Sequence, residues 1–333
     1  MMDREGSMMD RVCRLFASVG LALALMVHLA MAPAAAQDKP KIKVGSLTLP
    51  VFAPIVLNII KAKGFDAKNG FELDVVTYPA FPAYYAGLAT GEVDTLIGGP
   101  TFFQKLRLEG VPIKIVATGA TLSDLLVLTA DPAIKTLADL KGKQIAADMG
   151  SGQYQILAIY AASKGLDLKK DISVVNANFA VARAQLAAGR VEAAMVIEPI
   201  ATMMMKENPK LTAVFEANKA WKELTGSEGW ELVYAMREDS IKRVPNMPKM
   251  FLGALQDVSA FLKSNPDEAD KIASETVKLP PGVLKEAVAS GRWTFDAKPA
   301  WGDERKVIWN MLERAVEAGF HPKVPDEGFI YAP

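Results

Sequence analysis

Cysteine and histidine are almost absent from this chain. Its one cysteine is Cys13, and its two histidines are His28 and His321. Cys13 and His28 lie in an N-terminal segment that we expect to be removed, so the mature chain would keep no thiol and one imidazole. Disulfide bonds, thiolate nucleophiles and thiolate metal sites are thereby excluded. His321 stands in the turn sequence "GFHPKVP" without a candidate nucleophile beside it, which favours a solvated turn residue over a catalytic base.

The chain also lacks an excess of charge of either sign. Its 333 residues include 38 Lys and Arg and 38 Asp and Glu, and the basic residues form no stripe. Binding to nucleic acid or to an anionic membrane surface needs clustered basic side chains, so neither is expected. The 50% of hydrophobic residues is ordinary for a globular protein, and the length predicts about two domains or lobes.

One long apolar run lies near the N-terminus. Arg11 and Arg14 precede residues 15–32, "LFASVGLALALMVHLAMA", and the small-residue segment "PAAAQ" follows. A positive segment, an apolar segment and the pair Ala34-x-Ala36 predict a secretory signal over residues 1–36, cleaved after Ala36. An uncleaved anchor helix is the alternative, because the run approaches membrane-spanning length. The signal predicts a periplasmic location.

Two segments of the chain nearly repeat each other. The stretch "LATGEVDTLIGGP" at 88–100 matches "LAAGRVEAAMVIEP" at 186–199, and the likeness extends backwards to "KGFDAKNGFELDVV" and "KGLDLKKDISVV". Each unit is predicted to run strand–helix–strand–helix–strand, over about 41–97 and 142–197, with glycines ending the helices. This alternation predicts two similar α/β lobes, each a mostly parallel sheet flanked by helices.

The remaining segments connect and complete the lobes. Apolar strands are predicted at Leu125–Thr129 and Glu231–Met236, as a pair of hinge strands that cross between the lobes. The sequence from Ser240 onwards is mostly helical and is expected to pack on the first lobe. The predicted first lobe comprises residues 37–123 and 237–333, and the second comprises 124–236.

The predicted site is the cleft between the lobes. Ligands of open α/β sheets bind at the carboxyl ends of the strands. The loops at those ends carry no Lys or Arg, whereas several lead into helix N-termini that suit an acidic group. Apolar, aromatic and amide side chains there favour a small organic ligand. The expected ligand-binding residues are Leu47, Thr48, Leu49, Tyr78, Phe81, Gly99, Thr101, Ser151, Gln153, Tyr154, Asn178, Phe179 and Glu198.

Two of these positions leave alternatives open. "GSGQY" at 150–154 could hold a phosphate, but two glycines without a following Gly-Lys-Ser/Thr are weak evidence for that. Glu198 in "IEPI" could accept a ligand N–H or face a cationic group. It could equally open a helix, where its charge suits the helix dipole.

The order of these motifs resembles one family. The element "LAxGxVD", "DLKGK" before a strand, and "EP" after the second-lobe strand are similar to those of periplasmic ABC-transporter substrate-binding proteins, in the nitrate/sulfonate/taurine and thiamine-precursor branch. The resemblance covers about 41–239. It implies a type II periplasmic binding-protein fold that captures ligand by lobe closure. It also implies a monomer that serves an ABC permease with its ATPase and needs no cofactor or metal, and it matches Glu198 to a position that often faces ligand.

The ligand class rests on the loop composition. The lack of basic loop residues disfavours nitrate and simple sulfonates. We expect a small organic acid with an apolar or aromatic body, an aromatic carboxylate or a sulfonate-like compound, held by helix N-termini and hydroxyls. A pyrimidine-type heterocycle whose N–H is accepted by Glu198 is the alternative. An enzyme on the same scaffold is less favoured, because the similar yeast pyrimidine-precursor synthases rely on Cys- and His-rich features that are absent here.

Overall fold

Short β-branched segments alternate with apolar helical ones, and they build two sheets. The computed structural model describes residues 39–333, so the predicted signal segment lies outside the described residues. The strands of this part are β1 Lys41–Leu47, β2 Glu72–Tyr78, β3 Thr95–Gly98, β4 Ile113–Thr121, β5 Leu125–Thr129, β6 Gln144–Ala147, β7 Ser173–Asn176, β8 Ala193–Ile197, β9 Thr212–Glu216 and β10 Trp230–Arg237.

Helices connect the strands and form the C-terminal third of the chain. They are α1 Phe52–Lys63, α2 Phe65–Lys68, α3 Phe81–Thr90, α4 Pro100–Leu108, α5 Gly152–Ser163, α6 Phe179–Ala187, α7 Ile200–Glu207, α8 Ala217–Thr225, α9 Glu238–Arg243, α10 Met247–Ser264, α11 Pro266–Val277, α12 Val283–Ala289 and α13 Asp303–Glu317. Within residues 39–333, none of the helices has both the length and the hydropathy that a membrane crossing requires.

The two sheets follow the same plan. The first has the order β2-β1-β3-β10-β4, and the second has the order β7-β6-β8-β5-β9. In each sheet the first three strands are parallel, and they come from one of the two repeated units. The fourth strand is antiparallel to both of its neighbours. The predicted pair of α/β lobes is confirmed, with mixed sheets rather than mostly parallel ones.

The fourth strand of each sheet comes from the segment that crosses between the lobes. The predicted strand Leu125–Thr129 is β5 and lies in the second sheet, and the predicted strand Glu231–Met236 lies within β10 in the first sheet. The two strands therefore do not pair with each other, and the expectation of a paired hinge was wrong. The predicted lobe bounds placed 230–236 in the second lobe, whereas β10 hydrogen-bonds to β3 and β4 of the first sheet.

A glycine ends the first copy of the repeated helix. Gly91 follows α3 with a φ of 85°, which is the left-handed region that glycine adopts without strain. Arg237, at the end of β10, donates from its guanidinium to the carbonyl oxygens of Leu88 and Ala89, each at 2.9 Å. The last carbonyls of α3 thus find a partner on the strand that returns from the second lobe.

The C-terminal helices pack on the first lobe, as expected. Phe52 of α1 packs edge-on against Trp293 with ring centroids 4.6 Å apart, and Phe251 of α10 packs against Tyr234 of β10 at 5.2 Å. A second apolar cluster covers the other face of the first sheet and continues into the second lobe. His321 is buried rather than solvated. Its Nε2 lies 2.9 Å from the carbonyl oxygen of Thr101, and burial lowers the pKa of its imidazole.

Candidate functional site

A small cavity lies at the junction of the two lobes. Its walls come from the carboxyl ends of β1, β3 and β8, from the N-terminal turns of α1, α3 and α5, and from β10. The lining residues of this junction cavity are Leu47, Val51, Phe52, Ala53, Phe81, Tyr84, Tyr85, Ile97, Gly98, Gln153, Ile197 and Leu232. Its volume of ≈ 20 Å³ has room for about one water molecule. A ligand of several heavy atoms therefore requires the lobes to open for entry and the lining side chains to rearrange before the lobes close again.

Two glycines bring the lobes into backbone contact beside this cavity. Gly99 precedes α4 in the first lobe, and Gly152 begins α5 in the second. A Cβ atom on Gly152 would lie 3.0 Å from the Cα of Gly99, and one on Gly99 would lie 3.1 Å from the Cα of Gly152. Ordinary carbon contacts are about 3.5–4.0 Å. Gly99 is a predicted site residue and Gly152 was not predicted, and each packs against the other.

The two copies of the repeat also meet here through their aromatic residues. Phe81 at the start of α3 and Phe179 at the start of α6 occupy equivalent positions of the two units. Their ring centroids lie 6.1 Å apart with an interplanar angle of 89°, which is the edge-to-face geometry that aromatic pairs prefer. Both rings are buried, so they join the lobes with apolar surface.

The helix N-termini of the second lobe are occupied by oxygens of the chain itself. Ser151 accepts from the N–H of Tyr154 at the start of α5, and Asp148 accepts from the N–H of Gly150 at 3.1 Å. Asn178 caps α6 by accepting from the N–H of Val181 at 3.0 Å. Ser151 and Asn178 thus each satisfy one N–H at the start of a second-lobe helix, whereas, within the described residues, α1, α3 and α4 of the first lobe have no side-chain cap.

Glu198 has its own partners, and they come from both lobes. Its side chain is fully buried, and its carboxylate accepts from the backbone N–H and the hydroxyl of Thr202 at 3.0 Å each. Arg292, between α12 and Trp293, donates from Nε to Glu198 Oε1 at 2.5 Å and from Nη2 to Thr202 at 2.9 Å. Glu198 therefore opens α7 and joins the lobes, and it does not line the junction cavity.

A second polar contact joins the lobes at the cavity. Gln153 of α5 donates from its side-chain amide to Oε1 of Glu231, which lies on β10. Both residues are buried, at 3% and 1% exposure. Burial raises the pKa of the Glu231 carboxyl well above its usual range, and burial also raises the pKa of Asp148 despite the N–H that Gly150 donates to it. Neither acid is a lining residue, but burial raises the pKa of Tyr85, which lines the cavity, and both acids raise it further. The described lining residues include no cation.

The predicted site residues lie in several different parts of the structure. Leu47, Phe81 and Gln153 line the junction cavity. Gly99 and Phe179 form contacts across the junction. Ser151 and Asn178 cap helices, and Tyr78 packs edge-on against Tyr84. Thr101 is buried, Thr48 is exposed, Leu49 is half-buried, and Tyr154 faces a different groove near Phe320.

The sequence reasoning missed residues that line the cavity from within helices and from β10. Tyr84 and Tyr85 lie one turn beyond Phe81 on α3, so the helical spacing could have placed them on the same face. Leu232 and Glu231 were assigned to a hinge strand, which hid their proximity to the cavity. Nothing in the local sequence marks Glu231 as a neighbour of Gln153.

A larger groove of ≈ 700 Å³ lies elsewhere on the second lobe. It is lined by α5, α8, β9 and the segment 135–141, with no residue from the first lobe. Several of its lysines are already in ion pairs, such as Lys164 with Glu223 and Lys219 with Glu216. Lobe closure does not form this groove, so we place the candidate site at the junction cavity.

Comparison with known proteins identifies the family of the chain. The family model described as NMT1/THI5 like matches residues 50–269. The chain belongs to this family. A Haemophilus influenzae protein named for thiamine biosynthesis is 29% identical over 267 residues, covering 78% of this chain and 79% of that one.

Solved structures confirm the type II periplasmic binding-protein fold. The periplasmic aliphatic sulphonate binding protein SsuA from Escherichia coli superimposes with a TM-score of 0.73 at 19% identity, covering 89% of this chain and 93% of that one. The alkanesulfonate-binding protein SsuA from Xanthomonas axonopodis pv. citri, bound to MOPS, also gives a TM-score of 0.73 at 19% identity, covering 89% of this chain and 99% of that one.

Proposed function

We propose that this protein is the solute-binding receptor of an ABC importer and that it acts in the periplasm. The NMT1/THI5-like family and the fold shared with sulfonate-binding proteins support this role. The single observation that carries it is the junction cavity, whose walls come from both lobes at the carboxyl ends of the strands. Closure of such walls around a solute would bury it, and an ABC permease with its ATPase would receive it from the monomer.

Binding without catalysis fits the residues of the site. Among the described residues that line the cavity, none is a Ser, Thr, Cys, His or Lys that could serve as a nucleophile. The one imidazole of the described chain, His321, contacts the backbone of Thr101 and lies outside the cavity lining. We therefore propose a receptor rather than an enzyme.

The chemistry of the cavity favours an N–H-bearing heterocycle over an organic acid. Within residues 39–333, its lining contains four aromatic rings and no Lys, Arg or His. The helix N-termini at Ser151 and Asn178 are capped, and Asp148 and Glu231 lie close by. A carboxylate or sulfonate would lose its hydration there without gaining a cation. The aromatic walls suit a flat ring, and the amide oxygen of Gln153, unpartnered within the described chain, can accept from its N–H.

The organic acid remains the second candidate, because the SsuA proteins are named for sulfonates and share the fold. At 19% identity the fold is shared, but the specificity depends on the residues of each site. Glu198 does not supply the N–H acceptor, since Thr202 and Arg292 already occupy its oxygens. The acceptor role passes to the side-chain amide oxygen of Gln153, which lines the cavity and has no hydrogen-bond partner among the described residues.

The test is to identify the ligand directly. Native mass spectrometry of the protein purified from its host should show a bound small molecule, released intact on denaturation. A melting panel of 4-aminopyrimidine, pyrimidine-4-carboxylate, benzoate and an alkanesulfonate should then show stabilisation, about 2.7 kcal/mol at a hundred times the Kd. No co-purified molecule and no shift with any member would contradict the receptor role, and turnover of the bound molecule would contradict the non-enzymatic one.

A further inference from the structure

A buried polar pair joins the two lobes at the junction cavity. Gln153 lines the cavity from the first turn of α5, and its side-chain amide donates to Oε1 of Glu231 on β10. Both side chains are more than nine-tenths buried. The pair is therefore formed only when the second lobe meets the first.

Two of the four side-chain polar atoms of this pair have no hydrogen-bond partner in the part of the chain that the structure describes. Oε2 of Glu231 and Oε1 of Gln153 are buried and have no hydrogen-bond partner. Buried polar atoms are almost always paired, because leaving them unpaired sacrifices the hydrogen bonds that they would make to water. Two such atoms on side chains in direct contact, one of them lining a cavity, indicate that a further group completes the network.

The protonation of Glu231 defines what that group must offer. Glu231 is buried, and among the described residues no cation contacts its carboxyl. Burial raises the pKa of this carboxyl and so favours its neutral form. A neutral carboxyl whose Oε1 accepts from Gln153 presents an O–H donor at Oε2. The free carbonyl oxygen of the Gln153 amide presents an acceptor. The pair thus offers one donor and one acceptor on two side chains that are in direct contact.

We infer that Gln153 and Glu231 are the specificity-determining polar contacts of the site, and that they bind a neutral edge carrying a hydrogen-bond acceptor next to an N–H. A ring nitrogen beside an exocyclic amino group has this pattern, and an ionised carboxylate or sulfonate does not. The inference rests on the proposed receptor function and deepens it, because it names the residues that would select an amino-heterocycle over an acid.

The experiment measures binding of 4-aminopyrimidine by calorimetry to the mature chain and its variants. Gln153→Leu and Glu231→Leu should each weaken binding about tenfold to a hundredfold, since each leaves a polar atom of the ligand or of the partner unpaired. Glu231→Gln should stay within about threefold of the parent, because a carboxamide keeps both a donor and an acceptor. If Glu231 were ionised, Glu231→Gln would lose as much as Glu231→Leu.

Gln155→Leu provides the matched control. Gln155 lies on the same helix, two positions further on, so its side chain leaves α5 from a different face and does not line the cavity. This variant should bind like the parent. Equal losses in Gln153→Leu and Gln155→Leu, or parent-like binding by Gln153→Leu and Glu231→Leu, would overturn the inference.

Stability and ligand choice separate the remaining outcomes. The double variant Gln153→Leu/Glu231→Leu removes both buried partners, so it should leave the urea midpoint unchanged or higher while binding falls, whereas a structural role would lower both. If Glu231→Leu fails to fold, the affinities of Gln153→Leu and Glu231→Gln still test whether the pair binds the ligand. Tighter binding of pyrimidine-4-carboxylate by the parent would overturn the inference and leave the receptor role intact. No binding of any probe in the panel would overturn both.

Discussion

Replacing Gly152 with Ala should hold the lobes apart. Gly152 opens α5, its φ lies outside the left-handed region, and alanine is a better helix former than glycine. Among the described residues, the nearest atoms to the new methyl group lie across the lobe junction, and the closest is the Cα of Gly99 at 3.0 Å. The substitution therefore tests the contact between the lobes and little else.

The size of the effect follows from this overlap. A carbon contact of about 3.5–4.0 Å requires the two loops to separate by about 0.5–1 Å. Forcing an extra methyl group into packed structure costs about 1–3 kcal/mol. If ligand binding requires the closed junction, that cost weakens the affinity about fivefold to a hundredfold, since 1.4 kcal/mol is a factor of ten. Calorimetric titration with the ligand found by mass spectrometry measures it.

Gly150→Ala is the matched control for this measurement. It adds the same methyl group in the same loop, and the nearest atom to its Cβ is Oδ1 of Asp148 at 3.4 Å, an ordinary contact. Its affinity should equal that of the parent within about twofold. The reasoning would be refuted if Gly152→Ala bound as tightly as the parent, or if both variants lost affinity equally.

Three further predictions concern stability. Arg292→Met should lower the free energy of unfolding in urea by about 2 kcal/mol or more, because it leaves the buried carboxylate of Glu198 without its cation. A loss below about 0.5 kcal/mol would contradict the importance of that ion pair. Tyr84→Phe should cost about 1–3 kcal/mol, since the hydroxyl bonds both peptide groups of a β3 residue, whereas Tyr234→Phe removes an unpartnered hydroxyl and should cost nothing; equal losses would contradict this. The pKa of Asp66 is lowered from 3.8, because N–H groups of β2 and α2 outweigh burial. Its stabilisation is therefore complete above the unfolded value and is lost as the pH falls through the lower folded value. Asp66→Asn should flatten the acid-side loss of stability in urea melts, and an unchanged slope would show that the carboxylate contributes nothing.

The fold was predictable because its signals are local. Period-two and buried strands, apolar helices and helix-ending glycines recur in both copies of the repeat, and the structure contains the two strand–helix–strand–helix–strand units over the predicted ranges. β4 and β9 were missed. β9 is a short edge strand of five residues, and β4 contains small and threonine residues that weaken its apolar pattern.

The candidate site was predictable only in part, because its decisive contacts are distant in sequence. Glu198 finds its cation in Arg292, at a separation of 94 residues, and Gln153 finds Glu231 at a separation of 78. The preference for an acid assumed free helix N-termini, but whether Ser151 and Asn178 turn inwards to cap their own helices depends on the local rotamer. The composition did show correctly that the loops carry no cation.

The central claim is that this junction binds an N–H-bearing ring and rejects an acid of the same shape. The most direct measurement is a pair of calorimetric titrations of the mature protein, with 4-aminopyrimidine and with pyrimidine-4-carboxylate, at the same pH and ionic strength. The two solutes share a ring and differ in the substituent that meets Gln153 and Glu231. The account predicts binding of the amine at least about tenfold tighter than binding of the carboxylate. Equal or tighter binding of the carboxylate would contradict it.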